Sequence, residues 1–301
     1  MTDSCALDSL RDGELLAGTA GKEVRRWLFI QEQRPWGPKG FEDCRMADGV
    51  KESVAAAAGH LGARVQLIRR PARAAGGPAR VVMAAYVGEQ CGAIRTMAAR
   101  DEVELADFDF AHLLGATMPA QGPDGTPSPV ICFVCAHGRR DPCCARWGSR
   151  FYRAFSPTAG CEVWQTTHLG GHRFAANMLW MPHGVMLGRL RPGDATTVAA
   201  AVARGAIVSL EQYRGRVCYP AHVQAAEAAA RRRTETMEAW AMTAEETTAL
   251  GPESWRVRFR IDAPAPPRRV EVAVRAQTAR FRLSCADPAP ADTVIWVPEI
   301  L

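Results

Sequence analysis

The chain has 301 residues, of which 48% are hydrophobic and 23% charged, a composition typical of a globular protein long enough for about two domains. The sequence contains no run of about 18 apolar residues, and acidic residues occupy the N-terminus where a secretory signal needs a basic start. We therefore expect a cytoplasmic protein without a membrane partner. The net charge of +5 comes from scattered arginines, which disfavours nucleic acid as a partner.

The first part of the chain predicts an α/β domain. Strands are expected at 24–30, 63–69, 80–87 and 92–98, with helices at 49–62 and 108–115. The stretch 121–129 is rich in glycine and proline and predicts a linker. We therefore place the N-terminal domain at residues 1–125.

Residues 126–215 predict a second α/β domain with a similar order of elements. Strands are expected at 129–135, 161–167, 177–182 and 185–190, with helices at 142–155 and 195–204. The shared β-α-β-β-β-α order predicts a structural repeat. Its first copy is degenerate, because it lacks the cysteines and histidines of the second.

Residues 216–301 predict a helix followed by a small antiparallel β appendage. The helix is expected at 221–240, and alternating apolar and polar residues predict strands at 255–261, 269–276, 279–285 and 294–298. The proline-rich stretch 263–267 predicts a hairpin connection. No chemistry is evident in this segment.

Ten cysteines are unusual in a reducing compartment, where they act more often as ligands or reactive thiols than as disulfides. Five of them fall within thirty residues: Cys132, Cys135, Cys143, Cys144 and Cys161. This clustering predicts a metal or redox site in the second domain.

The strand–helix junction after Cys135 carries two of these thiols. Asp141 is a good helix cap and Pro142 suits the first helical position. Cys143 and Cys144 then lie in the first turn, but consecutive helical residues point about 100° apart and cannot face one ligand equally. We expect Cys144 to face inward and Cys143 to be the alternative ligand. Cys144 shares its predicted helix face with three aromatic residues, Trp147, Phe151 and Phe155.

A second motif, His168-Leu-Gly170-Gly171-His172, follows directly after a predicted strand. Two imidazoles four residues apart can converge on one metal. The two glycines allow a tight turn and a close approach of the backbone to a cofactor. The pair therefore predicts metal ligands.

Two other kinds of site fit some of these residues. Two cysteines and two histidines suit zinc, although Cys135 and Cys144 are farther apart than zinc-finger cysteines. Cys132 and Cys135 form a C-x-x-C pattern, as in thiol redox enzymes, but inside a predicted strand residues three apart point to opposite faces. A zinc-binding structural protein and a thiol-dependent enzyme therefore stay open as alternatives.

The pattern Cys135-x-His137-Gly-x-Arg140-Asp141-x-x-Cys144, followed by His168-x-Gly170-Gly171-His172, resembles the sucrase/ferredoxin-like family. The resemblance extends from about residue 15 to 215. It implies a thioredoxin-like ferredoxin domain that binds a [2Fe–2S] cluster through Cys135, Cys144, His168 and His172. The extra thiols Cys143 and Cys161 leave room for an exchange of ligands.

The resemblance implies an electron carrier or redox sensor rather than a catalyst, with a redox partner such as a reductase. Neutral imidazoles in place of thiolates raise the potential of a cluster, and we expect that potential to fall as pH rises. His137, Arg140, Gly170 and Gly171 are expected beside the cluster. His137 and Arg140 would donate hydrogen bonds to sulfur or present charge to a partner, unless Arg140 simply pairs with Asp141.

Overall fold

A computed structural model describes residues 4–70, 80–115, 127–262 and 266–301. Within these ranges the chain forms a nine-stranded mixed sheet and a separate four-stranded antiparallel sheet, with helices on both faces of the large sheet. The predicted mixed α/β class with an antiparallel appendage is confirmed. Residues 121–126 of the first predicted linker and 263–265 of the second lie outside the described residues.

The N-terminal half contains the elements expected from the sequence and two short helices that were not predicted. These two are α1 (Cys5–Arg11) and α3 (Glu102–Ala106). The side chain of Ser4 caps the N-terminus of α1, and that of Asp101 caps the N-terminus of α3. The predicted elements are β1 (Arg26–Gln31), α2 (Asp48–Leu61), β2 (Ala63–Arg69), β3 (Arg80–Val87), β4 (Gly92–Ala99) and α4 (Phe110–Gly115).

The second half follows the same order. A π-helical turn, Cys144–Gly148, precedes α5, and the unpredicted strand β9 closes the sheet. The elements are β5 (Ile131–Cys135), α5 (Ser149–Phe155), β6 (Glu162–Thr166), β7 (Met178–Met181), β8 (Val185–Leu187), α6 (Ala195–Ala203) and β9 (Tyr213–Arg216).

The large sheet has the strand order β4-β3-β1-β2-β6-β5-β7-β8-β9. β1 pairs with β2 in parallel, as β5 does with β6, and the other neighbours are antiparallel. The order β4-β3-β1-β2 therefore matches β8-β7-β5-β6, and the two halves meet where Ile68 pairs with Thr166. This symmetry is what a structural repeat requires. The boundaries at residues 125 and 215 and the degeneracy of the first copy stay predictions.

The C-terminal segment contains α7 (Ala221–Thr234), β10 (Met242–Gly251), β11 (Ser254–Ile261), β12 (Arg268–Phe281) and β13 (Ala291–Ile300). The helix predicted to reach residue 240 ends at Thr234, where Glu235 adopts a φ of 56°. The prediction of two strands at 269–276 and 279–285 is wrong. Gln277 and Thr278 contain no turn signal, so one long strand runs through them. β10 was not predicted because it lacks an alternating apolar pattern and six of its ten residues are exposed.

The side chains of β5 alternate between two apolar clusters on opposite faces of the large sheet. Cys132 and Val134 face the cluster that contains α5 and α6. Phe133 and Cys135 face the cluster shared with α7 and the small sheet, where Phe133 stacks on Phe29 at 3.8 Å between ring centroids. Cys135 is therefore directed into the layer between the two sheets.

No helix in the described parts of the chain combines the length and apolar character needed to cross a bilayer.

A candidate metal centre of cysteine and histidine

Three of the four predicted ligands converge beyond the C-terminal ends of β5 and β6, two central strands of the large sheet. The ligand atoms of Cys135, Cys144 and His168 all lie within 4.8 Å of one another, and Cys144 Sγ is 3.6 Å from His168 Nδ1. β5 and β6 run parallel, and Cys135 pairs with Thr166 at their ends. The loops that follow these strands therefore leave the sheet at the same edge, which brings the histidine loop against the cysteine loop.

The fourth predicted ligand, His172, lies beside this group. Its ring centroid is 5.1 Å from that of His168. The ring forms a hydrogen bond with the backbone carbonyl of Leu283. Its Nδ1 atom is buried and has no hydrogen-bond partner among the described residues. Because an unpartnered buried nitrogen is costly, its free lone pair fits the role of a metal ligand.

The direction of Cys144 is set by the helix that carries it. Asp141 caps this helix, because its Oδ1 accepts the Cys143 amide at 2.8 Å. Gly148 then lies against the end of β5, where a Cβ atom would come within 1.9 Å of the Cys135 carbonyl oxygen. The absence of this Cβ lets the helix start approach the strand end and brings Cys144 to Cys135.

The prediction that Cys144 shares a helix face with aromatic residues is wrong. Cys144 packs with Cys135 and Leu169, whereas Phe151 and Phe155 pack on the opposite side of the sheet. The π-helical turn explains the difference, since it inserts an extra residue and rotates everything after it relative to an α-helix.

Cys143, the alternative ligand, is directed elsewhere. Its sulfur lies 3.6 Å from that of Cys5 and 3.3 Å from that of Cys285. Cys161, the other extra thiol, lies beside Cys132, with 3.9 Å between their sulfurs. Cys132 itself faces away from Cys135. The predicted separation of the two C-x-x-C thiols is confirmed.

The glycines of the histidine loop hold a tight turn, as expected. Gly170 and Gly171 have φ values of 99° and 66°, which favour glycine. The close approach at Gly171 is to a side chain of this protein, because a Cβ there would meet Arg214 at 2.5 Å and Phe174 at 2.7 Å.

Arg214, which was not predicted from the sequence, holds the loop between His168 and His172 in place. Its guanidinium is buried and donates to the carbonyl of Gly170 and to Asn177 Oδ1, both at 2.9 Å, and to Thr19. Burial lowers the pKa of Arg214 to about 9, while the nearby Cys135 and Cys144 act to raise it. A buried positive charge therefore lies close to the two thiols.

His137 uses both ring nitrogens to join the loops around the site. Nε2 lies 2.7 Å from the carbonyl oxygen of Gly37, and Nδ1 accepts the backbone amide of His168 at 3.2 Å. The backbone amide of His137 donates to the sulfur of Cys135. The predicted hydrogen bond to sulfur therefore comes from the main chain, whereas the side chain positions His168.

Arg140 lies on the surface, at the rim of a cleft that reaches His168. The loop containing Lys39 and Phe41 forms the other side of this cleft. Among the described side chains, Arg140 makes no ion pair with Asp141. The Asp141 carboxylate instead accepts hydrogen bonds from Cys143, Ser284 and Cys285.

The electrostatics of the two thiols favour a bound cation. A hydrogen bond from Cys144 lowers the pKa of Cys135 well below its ordinary value, although burial opposes this. The same hydrogen bond, followed by burial and the negative charge of Cys135, raises the pKa of Cys144. Only one of the two ionises readily, so a metal is needed to hold both as thiolates. Burial lowers the pKa of His172, which keeps its imidazole neutral, as a ligand must be.

Cys5, Cys285 and Arg214 are the residues near the site that sequence reasoning missed. Cys5 and Cys285 lie 280 positions apart, so no spacing rule connects them. Arg214 lies on β9, which was read as a connection between two helices. The only sequence signal was the residue type itself, two further cysteines in a chain already rich in them.

Among curated proteins, the chain is similar to altered inheritance of mitochondria protein 32 of Meyerozyma guilliermondii, with 28% identity over 97 residues. The match covers 29% of this chain and 34% of that relative, so the chain spans about a third of the curated protein's length. No solved structure matches the chain.

A family model described as sucrase/ferredoxin-like matches residues 16–215, about two thirds of the chain. The matched range includes Cys135, Cys144, His168 and His172. It excludes Cys5, Cys285 and the small antiparallel sheet. The chain belongs to the sucrase/ferredoxin-like family.

Proposed function

We propose that Cys135, Cys144, His168 and His172 hold a [2Fe–2S] cluster and that the protein is an electron carrier or redox sensor. The observation that carries this proposal is the meeting of two thiols and His168 Nδ1 beside the unpartnered, buried Nδ1 of His172. Two sulfur and two nitrogen donors fit such a cluster. When bound, the cluster accepts and returns one electron.

The surrounding residues favour electron uptake. Imidazoles add no charge to the cluster, in contrast to thiolates, so two of them leave it less negative and easier to reduce. The buried guanidinium of Arg214 adds positive charge nearby. The amide of His137 donates to the Cys135 sulfur and stabilises it as a thiolate. Coupling of the electron to a proton on an imidazole is part of this proposal.

The cleft beside His168 is the route we propose for electrons to and from a partner. His168 is only partly buried, and Lys39 and Arg140 line the cleft around it. Glu42 also lines the cleft and lies 3.9 Å from Lys39, so the net positive charge comes from Arg140 and favours a redox partner, such as a reductase, that presents acidic residues here. We place this exchange in the cytoplasm, because a reducing compartment keeps cysteines free of disulfides.

Zinc is the second candidate for the same four residues. Three ligand atoms within 4.8 Å of one another suit a single ion, and Cys2His2 is an accepted zinc ligand set. A zinc-bound protein would be structural rather than redox-active.

Purification without oxygen separates the two candidates. We expect a coloured protein with visible absorption and about two irons and two sulfides per chain. His168→Ala should lose the iron. His112→Ala, which changes an exposed histidine of α4, should retain it. A colourless protein with zinc that disappears in His168→Ala would overturn the proposal.

A further inference from the structure

Three thiols outside the cluster site meet at a point where both ends of the chain contact the second domain. Cys5 opens α1, Cys143 lies in the capped turn before Cys144, and Cys285 lies in the loop between β12 and β13. Their sulfurs form a triangle with sides of 3.6 Å, 3.3 Å and 3.5 Å. Cys5 and Cys143 are buried, and Cys285 is partly buried. A carboxylate oxygen of Asp141 lies within 4.8 Å of all three sulfurs.

This arrangement is not that of a disulfide. A disulfide joins two sulfurs and leaves the third without a partner, whereas here the three separations differ by only a few tenths of an ångström. Thiolates placed tetrahedrally around one zinc ion, at about 2.3 Å from it, are about 3.8 Å apart. The triangle therefore has nearly the size that a single zinc ion imposes.

We propose that Cys5, Cys143, Cys285 and Asp141 bind one zinc ion, separate from the cluster site. Three thiolates and one carboxylate oxygen complete the four positions of a structural zinc site and leave none open. Iron–sulfur clusters fit less well, since a [4Fe–4S] cluster binds each thiolate at a different iron, farther apart, and each iron of a [2Fe–2S] cluster takes only two protein ligands.

Backbone amides and a hydroxyl group donate hydrogen bonds to three of these four ligands. The backbone amide of Ala6 donates to the Cys143 sulfur, and the amide of Cys5 donates to the Cys285 sulfur. The Asp141 carboxylate is fixed by the amides of Cys143 and Cys285 at 2.8 Å and 3.0 Å and by the Ser284 hydroxyl at 3.1 Å. Ionised carboxylates have about four lone-pair positions, so Asp141 can accept these bonds and still bind a metal.

Such an ion would tie three distant segments together. It would link α1, the turn that carries Cys144 and the loop after β12. Two of these segments, α1 and the loop after β12, also meet in an ion pair between Asp8 and Arg282 at 3.2 Å. The two sites are adjacent, since Asp141 Oδ2 lies 3.7 Å from His172 Nε2, but they share no ligand. The zinc site also gives the small antiparallel sheet a role, since the β12–β13 loop supplies Cys285.

Metal analysis of anaerobically purified variants tests this proposal. We expect about one zinc per chain in the wild type, and less than about a tenth of that in Cys5→Ser and Cys285→Ser. Cys44→Ser, which changes a buried cysteine in the other half, should retain its zinc. X-ray absorption at the zinc edge should show three sulfurs and one oxygen. Cys285→Ser changes a partly buried loop residue, so it still tests the proposal if Cys5→Ser does not fold.

Three results would overturn the zinc site. They are a wild type with iron but no zinc, zinc retained in Cys285→Ser, and a disulfide among the three thiols in protein prepared without oxygen. The cluster is tested separately: Cys135→Ser should lose iron and keep zinc. Failure of the cluster proposal would therefore leave this site intact, and the reverse holds as well.

Discussion

Cys143 and Cys144 are neighbours in the sequence, yet their sulfur atoms belong to two separate groups. Cys144 Sγ lies 3.6 Å from His168 Nδ1, whereas Cys143 Sγ lies 3.3 Å from Cys285 Sγ. Consecutive helical residues point about 100° apart, so the same helical turn directs Cys144 towards His168 and Cys143 towards Cys285. The cap at Asp141 fixes this turn and thereby both directions.

The two neighbours should therefore respond differently to substitution. We expect Cys144→Ser to lose nearly all iron and visible absorption, because it removes a ligand. Cys143→Ser should retain most of its iron and lose zinc. Iron, sulfide and zinc are measured on the same anaerobic preparations. Equal loss of iron in both variants would show that Cys143 takes part in binding the cluster.

Replacing either imidazole by a thiolate should change the proposed cluster without removing it. We expect His168→Cys and His172→Cys to bind iron, show a shifted visible spectrum and have a potential lower by on the order of 100 mV, because a thiolate adds negative charge. Redox titration measures this. His60→Cys, at an exposed position of α2, is the matched control and should leave the potential unchanged. An unchanged potential in both site variants would contradict the ligand assignment.

Much of the site could be predicted because its ligands lie in two short loops that follow parallel strands. The segments containing Cys135 and His168 leave neighbouring strands at the same edge, so local patterns were enough to bring them together. The helix face of Cys144 could not be predicted, since a π-helical turn depends on the fit of Gly148 against the Cys135 carbonyl.

The remaining misses come from long-range contacts. Cys5 and Cys285 meet Cys143 across 138 and 142 residues, and nothing local marks them as partners. β10 is held by its pairing with β11. Its residues are largely exposed and show no alternation of apolar and polar side chains from which a strand could be predicted. Tertiary pairing outweighs local pattern in these places.

Arg214 should matter for both stability and potential. Arg214→Met leaves the buried Oδ1 of Asn177 without its donor, a loss that costs about 1–3 kcal/mol, and also removes the donor to the Gly170 carbonyl. It also removes a positive charge near the cluster, so the potential should fall. Chemical unfolding and redox titration measure the two effects. Arg204→Met, at an exposed position, should change neither, and an unchanged potential in Arg214→Met would limit its role to holding the loop.

Gly148 should tolerate no side chain. In Gly148→Ala the new Cβ would lie 1.9 Å from the Cys135 carbonyl oxygen, and backbone atoms cannot move aside easily. We expect a loss of stability of about 1–3 kcal/mol or more, together with a loss of bound iron as Cys144 is displaced. Gly49→Ala, in α2, meets nothing within 4 Å and should be neutral or slightly stabilising. Normal iron content in Gly148→Ala would show that the helix start can shift without cost.

A buried charge network gives the fold an acid-sensitive element away from the metal ligands. Glu227 of α7 is fully buried and lies 2.8 Å from both Arg216 and Arg231. Burial alone would raise the pKa of Glu227, but the two arginines outweigh it and lower the pKa below its ordinary value of 4.5. The ionised form of Glu227 is therefore more stable in the folded state than in the unfolded state, and its ionisation stabilises the fold. This contribution is present above pH 4.5 and is lost as pH falls through the folded-state pKa.

Glu227→Gln should therefore destabilise the protein strongly at neutral pH and less in acid. Removing one partner leaves two buried arginines short of a negative charge, which costs roughly 3–5 kcal/mol. Urea unfolding of wild type and variant is compared at each pH. The difference between their free energies of unfolding should narrow as pH falls below 4.5, because the Glu227 carboxyl of the wild type then becomes protonated, first in the unfolded state. Glu211→Gln is the control, since its ion pair with Arg232 is exposed and should contribute little. A difference between wild type and Glu227→Gln that stays constant down to strongly acidic pH would mean that packing and hydrogen bonds, rather than the charge on Glu227, hold α7 against β9.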